Sequence, residues 1–201
     1  MQSQSLLLAS ASPRRRELLR QIGFEPQVIA THVDESRLPG EAPVTYVERL
    51  ARLKAETAWQ QLPSDRRGTV LAADTAVVLD GEIFGKPADR SDGLEMLARL
   101  SGRTHEVLTG VALKTTRGTD VRVNVSQVTF RALHRDECEA YWESGEAADK
   151  AGGYAVQGLA ALFISAIDGS FSGVMGLPLY ETAELLRAAG IDPLTNLRAR
   201  R

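Results

Sequence analysis

The sequence predicts an α/β fold, a mixed sheet with helices packed on it. Three observations carry this. Helical and strand-like segments interleave along the chain. Two long strand-like runs, 104–114 and 120–131, are consecutive and joined by an Arg117-Gly118 turn, which makes them a hairpin and the sheet not purely parallel. No internal repeat, low-complexity block or linker interrupts the 201 residues, a length that suits a single domain over 1–201.

Each element has a local reason. Residues 5–10 form a short apolar strand. A helix starts at Ser12-Pro13, with Ser12 as N-cap and Pro13 at the first helical position, and stops at Gly23. Residues 26–30 are a second strand and 31–42 a loop. The capping box Thr45-x-x-Glu48 opens a helix over 45–61. Thr69–Ala73 is a buried strand that ends at Asp74, and Ala76–Leu79 continues extended. Asp80-Gly81 turns the chain back into Glu82–Phe84. Leu94, Leu97 and Ala98 mark one face of a helix over 90–100, and another helix spans 135–143. A glycine-rich segment, 149–158, precedes an apolar strand at 161–167. The last helix occupies 179–189 and closes at Gly190, leaving the tail 191–201 loose.

Composition excludes several classes. The 24 basic and 26 acidic residues leave a net charge of -2, which argues against nucleic-acid binding by bulk electrostatics. No apolar run reaches the ~18 residues that a membrane span needs. The apolar stretch Leu6–Ala9 precedes the arginines, the wrong order for a signal peptide. The one cysteine, Cys138, makes no intrachain disulfide and no multi-cysteine zinc site. A cytoplasmic protein is expected.

Four segments point to chemistry. In Ser10-Ala11-Ser12-Pro13-Arg14-Arg15-Arg16, a helix opens with arginines, against its own dipole. That pattern makes sense where an anion docks on the free N–H groups, hydroxyls and guanidinium groups, although solvent-facing arginines explain it equally well. Only four of the basic residues are lysine: Lys54, Lys86, Lys114 and Lys150. Lys54 lies within the apolar stripe of Val47, Leu50, Ala51 and Ala58, so it must snorkel, pair or face a cleft. Asp74, at the end of an apolar strand, suits a metal ligand or a base, or simply a turn. Lys86 sits in the tight Phe84-Gly85-Lys86-Pro87 loop, and Glu35 is a loop acid with no visible partner. The glycines of 149–158 flank one amide, Gln157, whose donor and acceptor match the uracil edge, where a Glu would match guanine. His32, His105 and His134 lack metal-ligand spacing, and Cys138 between two glutamates is a poor nucleophile.

Taken together, the chain resembles the Maf family of nucleoside triphosphate pyrophosphatases, also called septum formation inhibitors. The matching stretches are Ser10-x-Ser12-Pro13-Arg14-Arg15, Ala73-Asp74-Thr75, Gly85-Lys86-Pro87, Ser101-Gly102-x-Thr104-His105, Asp149-Lys150-Ala151-Gly152, Gln157-Gly158 and Gly176-Leu177-Pro178. Each is weak alone, but they stand in family order and cover residues 6–180.

The resemblance implies an elongated mixed sheet flanked by helices, with two lobes and a central cleft, similar to inosine triphosphate pyrophosphatases. It implies cleavage of a nucleoside triphosphate to monophosphate and pyrophosphate, with Mg²⁺ or Mn²⁺, by a homodimer. Asp74-Thr75 with Gln157 look like the dTTP/UTP branch. On this reading Glu35 and Asp74 hold the metal and Asp74 is the general base. Arg14, Arg15, Lys54 and Lys86 bind phosphate, Ser10 and Ser12 orient it, and Thr75 and Gln157 read the base. The family's older name keeps a second reading open, a non-enzymatic nucleotide sensor of cell division.

Overall fold

The computed structural model describes residues 6–198. Seven strands form one sheet: β1 (Leu6–Leu8), β2 (Gln27–Val28), β3 (Thr69–Leu79), β4 (Glu82–Phe84), β5 (Thr104–Thr115), β6 (Gly118–Phe130) and β7 (Ile164–Asp168). Their order is β2-β1-β3-β5-β6-β7, with β4 also on β3. β1 is parallel to both neighbours, and every other pairing is antiparallel, so the sheet is mixed as expected. The helices are α1 (Pro13–Gln21), α2 (Pro43–Gln61), α3 (Arg90–Leu100), α4 (Arg135–Glu143), α5 (Phe171–Val174), α6 (Leu179–Ala188) and α7 (Pro193–Arg198). None is long and apolar enough to cross a membrane.

The side-chain alternation of β3 sorts the core. Leu71 and Ala73 face α1 and α6, packing with Leu18, Leu19, Leu185 and Leu186. Val70 and Ala72 face the other way, onto Ala51, Ala55 and Ala58 of α2. Farther along, Val77 and Leu79 join a third cluster with Leu97 of α3, Phe130, and Tyr141 of α4.

The outer edge of β3 is only partly paired. On its outer edge β1 pairs with Thr69–Leu71, and β4 pairs with Val77–Leu79. Neither strand covers the stretch between them, which holds Asp74 and Thr75. The sheet edge is open there, and a ligand can reach side chains on both faces.

Several expected boundaries move. β3 runs unbroken through Asp74, so this acid lies mid-strand rather than at a strand end. α2 starts at Pro43 with Ala42 as N-cap, because Pro43 at the first helical position outcompetes the Thr45-Glu48 box. The apolar stretch read as a strand at 161–167 begins as a 3₁₀ turn, Leu159–Leu162, and only Ile164–Asp168 pairs. Between β7 and α6 lies the short α5, capped by the Ser170 hydroxyl, which accepts from the Gly173 N–H. The tail expected to be loose over 191–201 holds α7, and 199–201 lie outside the described residues. The Asp80-Gly81 turn is as read, both residues taking positive φ, 52° and 79°.

Candidate active site

A cavity of about 610 Å³ occupies the open edge of β3. Its wall includes all ten residues selected from the sequence: Ser10, Ser12, Arg14, Arg15, Glu35, Lys54, Asp74, Thr75, Lys86 and Gln157. They come from the connection between β1 and α1, the start of α1, the loop before α2, α2 itself, β3, the turn after β4 and the glycine-rich loop. A second cavity, about 660 Å³ between α3 and α4, contains none of them.

On the α2 face, Lys54 does not snorkel. Its Nζ lies 2.6 Å from Asp74 Oδ1 and 2.7 Å from Glu35 Oε1. Lys54 and Asp74 are nearly enclosed, their side chains 13% and 10% exposed, whereas Glu35 stands more open at 56%. Gly110, opposite Asp74 in β5, lets α2 come this close, because a Cβ there would meet the Val47 carbonyl. Glu35 is positioned by its loop. The Tyr46 hydroxyl donates to its carbonyl at 3.0 Å, and Arg49 Nη2 donates to the Ser36 carbonyl. Burial, and then the negative charges of Asp74 and Glu35, push the Tyr46 phenol up.

At the start of α1, the Ser12 hydroxyl makes no cap bond, and the first turn holds no acid. That helix end meets the cavity with its dipole uncompensated. Arg14 and Lys86 line the same cavity and make no salt bridge among the described residues. Lys150 is paired with Asp149.

Arg15 differs from Arg14. Its Nε donates to the Gly176 carbonyl at 2.7 Å, and Nη1 donates to the Ala73 carbonyl at 2.7 Å and to Ser10 Oγ at 3.1 Å. Nη2 donates to Thr75 Oγ1 at 3.1 Å. The Ala73 carbonyl lies on the edge that β1 has left, so Arg15 replaces the missing strand amide. Burial lowers the pKa of Arg15 from the ordinary arginine value. With these donors committed to protein, Arg15 ties three elements together.

On the opposite face, Thr75 shares its side of β3 with Val77. The glycine-rich loop lies on Val77 so closely that a Cβ on Gly152 would stand 2.9 Å from it. Gly152 and Gly153 both take positive φ, 68° and 69°, which other residues resist. Two side chains absent from the sequence argument hold the onward path to Gln157. The Tyr141 hydroxyl accepts from Ala155 N–H at 3.1 Å and donates to Glu146 Oε1 at 2.7 Å. Glu146 also accepts from the N–H groups of Leu159 and Ala160. Their signal was faint, one acid and one tyrosine in an exposed-looking stretch. His32, dismissed for want of metal-ligand spacing, also lines the cavity. Cys138 lies outside it, and burial pushes its thiol up.

Residues 5–189 match the family of Maf-like proteins. The chain belongs to the Maf family. Its relatives include a dTTP/UTP pyrophosphatase from Methylococcus capsulatus, 54% identical over 92% of this chain and 91% of that one. A protein of the same name from Bordetella parapertussis is 55% identical over 92% and 93%. Another, from Hahella chejuensis, is 49% identical over 92% of both chains. Among solved structures, the Staphylococcus aureus Ham1 protein overlaps 63% of this Maf chain and 71% of its own, with 19% identity and a TM-score of 0.46.

Proposed function

We propose that this Maf protein hydrolyses dTTP and UTP between the α and β phosphates, giving the nucleoside monophosphate and pyrophosphate. The observation that carries the reading is the contact of Lys54 with both Asp74 and Glu35, in a cavity that also holds Arg14 and Lys86. The names of its close relatives support the substrate class.

Mg²⁺ or Mn²⁺ belongs to this reading, and the residues present fit it. Mg²⁺ is commonly held by one or two carboxylates together with substrate phosphates, not by an all-protein cage. Glu35 and Asp74 are two carboxylates that already converge on one positive charge, the Lys54 ammonium. Among the described residues no cluster of three or more His, Cys, Asp or Glu side chains competes for the ion. When bound, the metal would neutralise phosphate charge and polarise a phosphoryl oxygen.

The protein's own groups do the rest. Asp74 takes the proton from the water that attacks the α phosphorus. Lys54 orients that carboxylate. Arg14, Lys86 and the open end of α1, with Ser10 and Ser12, hold the polyphosphate and stabilise charge on the departing pyrophosphate. Arg15 positions Ser10 and Thr75 rather than spending its charge on substrate. Thr75 and Gln157 read the base.

Incubation with dTTP or UTP and Mg²⁺ should release pyrophosphate. Orthophosphate would overturn the bond assignment, and tight binding without turnover would favour the nucleotide-sensing regulator. We also infer a cytoplasmic homodimer, as the family resemblance implies. Light scattering should then give twice the 21.8 kDa chain mass.

A further inference from the structure

A triphosphate is a polyanion, and so is the pyrophosphate that leaves. Cations gathered to receive it repel one another until it arrives, and they grip the product as well as the substrate. A counter-charge supplied by the protein eases both problems.

The cavity wall contains one. Asp149 and Lys150, from the glycine-rich loop, line it together with Arg14 and Lys86. The Gly152 N–H donates to the Gly85 carbonyl at 2.9 Å, which docks this loop on the turn that carries Lys86. The Lys150 N–H donates to the Ala147 carbonyl at 3.2 Å, and the Lys150 carbonyl accepts from the Gly153 N–H at 3.0 Å. The backbone of Lys150 is thus held on both sides.

Its side chain is held more lightly. The Lys150 ammonium pairs with the carboxylate of its neighbour Asp149. The lysine side chain is 13% exposed and the aspartate side chain 71%. An ion pair with one partner in water is weak and yields to a stronger anion. The hydrogen bond from Lys150 first, and then the charges of Lys150 and Arg14, hold the Asp149 carboxyl below the usual carboxylate range. Asp149 therefore feels two cations. Glu35 and Asp74 share one, Lys54, and keep a surplus negative charge for a metal. Asp149 has no such surplus, so its charge serves as a counter-ion.

We propose that Asp149 is a built-in counter-anion of the polyphosphate subsite: it holds Lys150 beside Arg14 before the nucleotide arrives, yields that lysine to the polyphosphate, and takes it back as pyrophosphate leaves. The inference rests on the pyrophosphatase reading above. It adds Lys150 to the phosphate-binding cations and gives the site a means of releasing its product. The exchange needs only side-chain rotation, because the loop hydrogen bonds keep the backbone in place.

The test is calorimetric titration of inorganic pyrophosphate, without added metal, into the parent protein, Asp149→Asn, Asp149→Glu and Lys150→Met. Asparagine keeps the size of the side chain and removes the competing charge. The dissociation constant should fall about two- to fivefold, the worth of one partly exposed ion pair. That gain should shrink between ~0.01 M and ~1 M salt, as the screening length drops from ~30 Å to ~3 Å. Asp149→Glu keeps the charge and should stay near the parent value. Lys150→Met removes the cation and should raise the dissociation constant, in the parent and in the Asp149→Asn background alike.

An Asp149→Asn protein that binds pyrophosphate no more tightly than the parent overturns the proposal. A merely structural aspartate gives that result, since a loosened loop weakens binding at every salt concentration. Lys150→Met that leaves binding unchanged overturns it equally. Should Lys150→Met fail to unfold cooperatively, Lys150→Gln is read by the same criterion. None of these titrations depends on turnover. A parent that shows the binding shifts but releases no pyrophosphate from dTTP or UTP with Mg²⁺ overturns the reading beneath, and the counter-anion stands.

Discussion

A Cβ on Gly110 would stand 2.4 Å from the carbonyl oxygen of Val47. The backbone of α2 therefore rests directly on β5, at the register position opposite Asp74. That contact sets the height of the helix, and Lys54, two turns farther along, reaches Asp74 at 2.6 Å because of it. In Gly110→Ala the helix must rise. Overpacking of this kind costs about 1–3 kcal/mol. The expected result is a lower denaturation midpoint in urea together with a lower kcat, as Lys54 withdraws from the acid.

Asp74→Asn keeps the shape of the side chain and removes its basicity. Pyrophosphate release should fall by about 10²–10⁴-fold, the usual worth of a general base. Lys54 retains Glu35 as a partner, and Arg14 and Lys86 are untouched, so nucleotide binding should persist. Turnover close to that of the parent, measured as pyrophosphate released, would remove Asp74 from the role of base.

Tyr141 and Glu146 hold the loop that carries Gln157, and they do so through backbone amides. Tyr141→Phe leaves the Ala155 N–H, within a buried residue, without its acceptor. An orphaned buried amide costs about 1–3 kcal/mol. The loop should loosen, and KM for UTP should rise more than kcat falls. The Tyr141 phenol is pushed up by burial first and by the Glu146 hydrogen bond second, so it remains a neutral donor throughout the working pH range. The pH–rate profile should therefore keep its shape in this variant.

Much of this fold was legible because local chemistry and tertiary packing agree. Pro13 starts α1, Asp80-Gly81 makes the β3–β4 turn, and Arg117-Gly118 turns β5 into β6. Lys54 was legible as an anomaly, a charge inside an apolar stripe, and the structure resolves it as an ion pair. Other features needed the third dimension. Asp74 looked like the end of a strand because a carboxylate normally ends an apolar run. Here the open edge between β1 and β4 gives it a ligand-facing place within the strand. Gly110 was invisible, since a glycine in a long strand carries no signal until its neighbours across the sheet are known. Arg14 and Arg15 read alike in sequence. Only the fold shows that Arg15 is bound to Ala73, Gly176 and Thr75, whereas Arg14 has no salt bridge among the described residues.

The loop that carries Glu35 should answer to acid. Glu41 is buried, and its carboxylate receives Arg49 Nε at 2.6 Å, Arg49 Nη2 at 2.8 Å and Leu38 N–H at 3.1 Å. The Arg49 hydrogen bonds lead the causes that lower its pKa from 4.5 to about 2. A carboxyl whose folded pKa lies below its unfolded value stabilises the folded state above the unfolded pKa, and the contribution is lost as pH falls through the folded one. The Glu41 contribution is therefore complete above pH 4.5 and disappears towards pH 2. Glu137, paired with Arg131, declines in the same window. Burial lowers His105 to about 4 from 6.5, adding a separate loss between those values. Both of those losses are common to the parent and to Glu41→Gln, so their difference isolates Glu41. At neutral pH the variant should unfold at lower temperature than the parent, and the gap should close between pH 4.5 and pH 2. Melting temperatures of the two proteins across that range decide it. A gap that stays constant would mean that the Glu41–Arg49 pair does not hold the loop by charge.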